Sequence, residues 1–232
     1  MFGLIFASTV FAEVPESAWK AVEIQFHQQS IRDDALVETY LGQACKEGHK
    51  LSCQWNKKRA KWDEATLETW LMEQCTSKQE PVACTVQGWK QSQLKIAPGI
   101  PHKSADNWDG ALTTFAIVCE EEARGCVELA RLELADVKES VQPQAVSRFQ
   151  NACDNGNEEG CYSHGVLLAE GVLQVSDVSK ATEILLRTCE NGHAKSCAQM
   201  GLITLAQASN QDDAAKSTKF YQRGCELGST EG

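Results

Sequence analysis

Ala152-Cys153-Asp154-Asn155-Gly156-Asn157-Glu158-Glu159-Gly160-Cys161 is answered, 36 residues on, by Thr188-Cys189-Glu190-Asn191-Gly192-His193-Ala194-Lys195-Ser196-Cys197. The same interval carries Cys189 to Cys225, Gly192 to Gly228, Gly165 to Gly201, Asp177 to Asp213, Lys180 to Lys216 and Arg187 to Arg223. A fixed period of about 20–50 residues marks a solenoid, in which each repeat is one supersecondary unit that buries its apolar face only against its neighbours.

Working outward, the cysteines that open each pair share an upstream pattern. Four residues before Cys45, Cys75, Cys119, Cys153, Cys189 and Cys225 stand Leu41, Leu71, Phe115, Phe149, Leu185 and Tyr221. Eight residues before them stand Val37, Leu67, Ala111, Ala145, Ala181 and Ser217. Positions i, i+4 and i+8 lie on one helical face, so each first cysteine ends the buried stripe of a helix. Gly48, Gly156, Gly192 and Gly228 follow three residues later, where a helix C-terminus favours a left-handed residue. Each second cysteine opens the next helix. Four residues past it come Lys57, Gly88, Ala130, Gly165 and Gly201. Glycine in a helix costs about 1 kcal/mol against alanine, which close backbone approach between helices would offset; Lys57 breaks the pattern and predicts a looser hairpin.

The resulting expectation is an all-α fold, an αα-hairpin solenoid of about six hairpins. They run over about 16–46, 50–76, 80–121, 123–154, 158–190 and 194–226 within a repeat domain over 13–232. The third hairpin carries an insertion from Leu94 to Trp108 with Pro98, Gly99 and Pro101. Loops of that length in compact repeats are uncommon, and some are functional.

Eleven cysteines fall as Cys45/Cys53, Cys75/Cys84, Cys119/Cys126, Cys153/Cys161 and Cys189/Cys197, with Cys225 left over. Regular near-pairs in an exported chain read as a disulfide framework. The gaps are wide for zinc and no Cys-x-x-Cys occurs, so metal and redox roles are disfavoured, although His49 and His193 lie inside two of the loops. The period would place a partner for Cys225 one residue past Gly232. That reads the chain as cut short, with a native free thiol as the alternative.

Export is expected from residues 2–12, an apolar run too short to span a bilayer, with Val10-Phe11-Ala12 fitting a cleavage site before Glu13. The basic residues that usually precede such a run are missing, consistent with a truncated start. No later stretch is apolar enough to cross a membrane, so a soluble periplasmic or secreted chain with a signal peptide at 1–12 is expected. A net charge of −10 with no offsetting Lys/Arg cluster argues against nucleic acid and otherwise serves solubility.

Residues 152–165 and 189–201 resemble the cysteine-rich bacterial branch of the Sel-one-like repeat family, a relative of the tetratricopeptide repeat. That branch carries Ala-Cys, then Gly, then Cys, then Leu-Gly at this spacing. The likeness is strong over about 109–228 and weaker over 33–91. Departures are the short 119–126 loop, the 92–108 insertion and Gln207–Asn210, where family members carry a Gly-rich loop. The resemblance implies a right-handed superhelix with a concave groove that serves as an adaptor for proteins or peptides. Several secreted members of the branch are catalogued as beta-lactamases or penicillin-binding proteins, and other relatives are assembly factors in the mitochondrial intermembrane space. Pairing of neighbouring cysteines rests on their spacing and on this resemblance together.

Chemistry is thinly signalled. Ser17-x-x-Lys20 and Ser92-x-x-Lys95 match the first element of a serine beta-lactamase, but its Ser-Asp-Asn and Lys-Thr-Gly companions are absent. Gly-x-Ser-x-Gly, His-Glu-x-x-His and phosphate-loop motifs are absent as well. His164 falls among core positions, and His27 and His102 suggest no partner. All six tryptophans lie within the first 108 residues. Trp70 neighbours the buried stripe and reads as core. Trp55, Trp62, Trp89 and Trp108 are the candidate groove, beside the basic run Lys57, Lys58, Arg59 and Lys61, which suits an acidic peptide or carboxylate or else is a solvated helix face. The leading expectation is an exported scaffold that binds a protein, peptide or cell-envelope fragment, without cofactor or metal. The alternatives are a beta-lactamase or penicillin-binding-type hydrolase and, third, an assembly factor.

Overall fold

The turn between paired cysteines is built by two helix caps placed back to back. After Cys153 and Cys189 the chain runs two residues to a glycine at positive φ, Gly156 at 82° and Gly192 at 98°. The next amides, of Asn157 and His193, reach back to the carbonyls of Ala152 and Thr188 at 2.9 and 3.1 Å. The left-handed glycine thus closes the first helix. Asn157 and His193 then cap the second helix, accepting from the amides of Gly160 and Ser196. Cys161 and Cys197 donate the first helical bonds to those caps, so each second cysteine stands one turn inside its helix, opposite the first. Gly48 and His49 arrange Cys45 and Cys53 in the same way, except that His49 accepts no amide. Between Cys75 and Cys84 the chain has one more residue, and Gln79, at φ 52°, takes the glycine's place.

The computed structural model describes residues 14–27, 33–92, 108–135, 142–171 and 176–228. The expected leader and cleavage site, His102, Lys95 and the insertion before Trp108 lie outside them. The helices are α1 (Glu16–Val22, continued by a π-helical turn over Glu23–His27), α2 (Asp34–Lys46), α3 (Lys50–Arg59), α4 (Glu64–Lys78), α5 (Pro81–Ser92), α6 (Trp108–Glu121), α7 (Ala123–Ala135), α8 (Gln142–Asp154), α9 (Glu158–Glu170), α10 (Val178–Glu190), α11 (Ala194–Ala206) and α12 (Gln211–Glu226). No strand occurs among the described residues. The chain forms two compact units, Met1–Lys90 and Gln91–Gly232.

In the second unit every helix from α6 to α12 packs on its sequence neighbours, and α9 also touches α7 and α11. This is the one-dimensional packing of a hairpin solenoid. The core is correspondingly serial. Cys126, Ala130, Ala145 and Phe149 fill one cluster, Cys153, Cys161, Leu168 and Ala181 the next, and Leu185, Met200 and Ile203 a third. The helical glycines earn their cost by close approach: a Cβ on Gly165 would stand 2.7 Å from Leu185 Cγ, and one on Gly201 3.0 Å from the Tyr221 ring. In the first unit α1 packs on α2 and α2 on α3, with Trp55, Leu41, Val37 and Leu71 fully buried. Lys57 occupies the small-residue position of α3 and is exposed, and α3 approaches α4 far less closely than α9 approaches α10.

Five disulfides staple the turns: Cys45–Cys53 and Cys75–Cys84 in the first unit, Cys119–Cys126, Cys153–Cys161 and Cys189–Cys197 in the second. Each closes a loop of similar size and removes about 2.6 kcal/mol of unfolded-state freedom in the chain-entropy model. The residue before each second cysteine is small, Ser52, Ala83, Gly125, Gly160 or Ser196. A Cβ on Gly160 would lie 2.7 Å from that of Ala152, so bulk there would push the two sulfurs apart. Cys225 is the free thiol and is exposed.

Candidate functional site

The basic run and the tryptophans of the first unit converge in part. Trp62 follows α3 in the turn to α4, where it is half-buried. Its ring meets that of Trp70 edge-on, with centroids 6.4 Å apart and planes at 76°. Lys58, one helical turn earlier, lays its ammonium 3.9 Å from the Trp62 ring centre and 5.1 Å from that of Trp70. A cation over an indole face is worth about 0.5–1 kcal/mol at an exposed site. Lys57 and Lys61 are exposed on either side. Arg59 is engaged elsewhere, ion-paired to Asp34 at 2.6 Å.

The other expected groove tryptophans are core side chains. Trp55 is fully buried and packs its ring against Phe26 at 5.8 Å. Trp89 and Trp108 are buried in α5 and α6, and Trp108 belongs to the second unit. Three of the four are therefore buried, because helical phase directs them into helix contacts. Trp70, expected only as core, supplies the edge that fixes Trp62. Its signal in the sequence was the eight-residue spacing from Trp62 across a turn capped by Asp63.

A second constellation was not foreseen. His49 stands between Ser52 Oγ, 2.7 Å from Nδ1, and Glu80 Oε1, 3.0 Å from Nε2. His193 repeats it with Ser196 Oγ at 2.9 Å and Glu159 Oε2 at 3.1 Å. Serine, imidazole and carboxylate in series have the order of a hydrolase triad. Here both hydroxyls are fully buried, so neither meets a substrate from solvent. The Ser196 amide also donates to His193 Nδ1 at 3.3 Å, which leaves Nε2–H to face Glu159. The histidines cap and tie helices. His-x-x-Ser beginning four residues after a first cysteine is the signal that could have announced them.

Glu159 is the hub of the second case. It accepts from Arg131 of α7, from His193 and, at 3.1 Å, from Lys195 of α11. Burial pushes its carboxyl up, but the His193 hydrogen bond and the charges of Arg131 and Lys195 outweigh that and hold it far below the usual range. Three successive repeats are thereby joined by one charge. Tyr162 lies against the same residues, 5.5 Å from the His193 ring.

In the first Ser-x-x-Lys pair the two side chains are engaged separately. Ser17 is buried and its hydroxyl donates to Glu47 Oε2 at 2.5 Å, while Lys20 lies 5.7 Å from the Tyr40 ring centre. That bond, with a second from Gln43, lowers the Glu47 carboxyl. Ser92 is buried at the end of α5.

Among solved structures, the crystal structure of c5321, a protective antigen of uropathogenic Escherichia coli strains displaying an SLR (Sel-one-like repeat) fold, superposes with a TM-score of 0.60 at 15% identity, over 93% of this chain. The fold is an SLR fold. The chain spans less than half, 46%, of that antigen. No family model matches the sequence, and no curated protein does.

An SLR array stapled at five of its turns holds side chains on fixed helices. The only member of the expected groove set that is both aromatic and partly open is Trp62, and it is held from one side by Trp70 and from above by Lys58. No helix of the described residues is long and apolar enough to cross a membrane.

Proposed function

We propose that the chain is an exported SLR scaffold that binds a protein or peptide segment, and that the Lys58–Trp62–Trp70 surface is its contact. The half-open Trp62, clamped between Lys58 and Trp70, carries this reading. A large aromatic immobilised before binding loses little freedom on contact, and such residues dominate interface energetics. The five disulfides support export, since bridges of this kind persist in oxidising compartments. Periplasmic protein would be panned against a displayed peptide library. The expected outcome is a class of peptides whose binding falls about tenfold or more on Trp62→Ala, some 1.4 kcal/mol, with the helical spectrum unchanged. Peptides indifferent to that substitution, or none at all, would overturn the contact. Reduced cysteines in periplasmic protein, read by intact mass, would overturn the export.

A further inference from the structure

Resting on that reading of the surface, we infer that its partner is an acidic polypeptide segment. Residues 50–61 hold five cations, Lys50, Lys57, Lys58, Arg59 and Lys61, and no anion, within a chain of net charge −10. One of the five is already neutralised, and two further nearby carboxylates are committed elsewhere. Asp34 holds Arg59, Glu68 holds Lys90 at 2.6 Å, and Asp63 accepts the Thr66 amide at 2.8 Å to cap α4. Thr66 draws the Asp63 carboxyl below its ordinary value, a sign of that commitment. What remains is Lys50 at the start of α3 and Lys57, Lys58 and Lys61 at its end, none with a carboxylate partner among the described residues, and Lys58 facing indole rings. An ammonium has three donors, and a ring face occupies one side of it. A carboxylate set beside Trp62 would complete Lys58, with an apolar neighbour of that acid against the open part of the indole.

Size selects the polymer. The ten residues of α3 make a helix of about 15 Å, the length of roughly four or five residues of extended chain. A bilayer or duplex would continue past this patch and bring phosphates within the ~8 Å screening length of the remaining, net-negative surface. A short acidic segment meets the cations alone.

The test uses the full chain and three probes: a labelled synthetic peptide with one phenylalanine among glutamates, its glutamine counterpart, and vesicles of phosphatidylglycerol. The glutamate peptide should bind more weakly in higher salt and lose about tenfold on Lys58→Glu and about threefold on Lys57→Gln or Lys61→Gln, with the helical spectrum unchanged. If the glutamine peptide binds equally well and still depends on Trp62, the acidic inference fails while the scaffold reading stands. Should neither peptide respond to Trp62→Ala, the surface itself is misassigned. Vesicle binding as tight as the peptide's, and equally sensitive to Lys58→Glu, would replace the peptide with a membrane and overturn the inference.

Discussion

Replacing His164 by Met should stabilise the second unit, and increasingly so as the solution is acidified. His164 is buried in α9, one turn from Cys161 and one from Leu168, on the face that fills the second core cluster. Both ring nitrogens are buried without a hydrogen-bond partner. A buried donor or acceptor left unmade costs about 1–3 kcal/mol, while a hydrophobic swap of similar volume costs under about 1.5 kcal/mol. The period supplies the template, since the equivalent residue one repeat later is Met200, itself buried. At pH 7.5 the variant should therefore gain roughly 1–2 kcal/mol. Burial first, then repulsion by Lys180 of α10, lowers the His164 pKa below 6.5, against a smaller opposing pull from Asp154 of α8. A lowered histidine pKa means the unfolded chain binds the proton first. Stability is full above pH 6.5 and is lost as pH falls from there toward the folded value. The slope cannot exceed about 1.4 kcal/mol per pH unit, so from 6.5 to 5.0 wild type loses up to about 2 kcal/mol through this group. The variant loses none of it. Urea unfolding of both proteins at pH 7.5 and 5.0, with exchange of the α9 and α10 amides as the local reporter, reads the difference directly. An equal gap between the two proteins at both pH values would refute the account, and a less stable variant at pH 7.5 would show that the ring nitrogens are satisfied.

Gln79→Gly should stabilise the first unit by about 0.5–1 kcal/mol in chemical denaturation, because Gln79 is the one non-glycine residue at positive φ among those described, at a turn where its counterparts are glycine. Gly165→Ala should cost about 1–3 kcal/mol, its new methyl meeting the branch point of the fully buried Leu185. Gly201→Ala should cost less, since it meets the flat face of the half-exposed Tyr221 ring at 3.0 Å where Gly165 meets Leu185 at 2.7 Å, and melting curves of the pair should rank them in that order. Glu159→Gln should destabilise by about 1.5–3 kcal/mol at neutral pH by stripping charge from the Arg131, His193 and Lys195 contacts. Its carboxyl titrates below 4.5 in the folded chain, so wild type keeps this contribution above 4.5 and loses it as pH falls further. The gap between wild type and variant should close in acid, and a constant gap would contradict the hub.

Much of the architecture is legible without coordinates, and the legible parts share one property. The cysteine spacings, the left-handed glycines after Cys45, Cys153 and Cys189, and the Leu41, Phe149 and Leu185 stripe are all set within one or two helical turns. The site was less legible. Basic residues and tryptophans were visible as a run, yet Trp55, Trp62 and Trp70 look alike in composition. Helical phase sends Trp55 into the core and leaves Trp62 half open.

By itself, then, the sequence determined the period, the hairpins and their staples, because backbone hydrogen bonds and disulfides between residues seven to nine apart answer to local composition. Only the tertiary structure decided which groups meet across repeats. Glu159 gathers Arg131 from 28 residues before it and His193 from 34 after, and Ser52 and Ser196 are sealed from solvent beside their histidines. Those encounters depend on how one hairpin is rotated against the next, where Gly125 meets Val118 and Gly160 meets Ala152. That is a property of packed volumes, for which a single chain of letters carries no local mark.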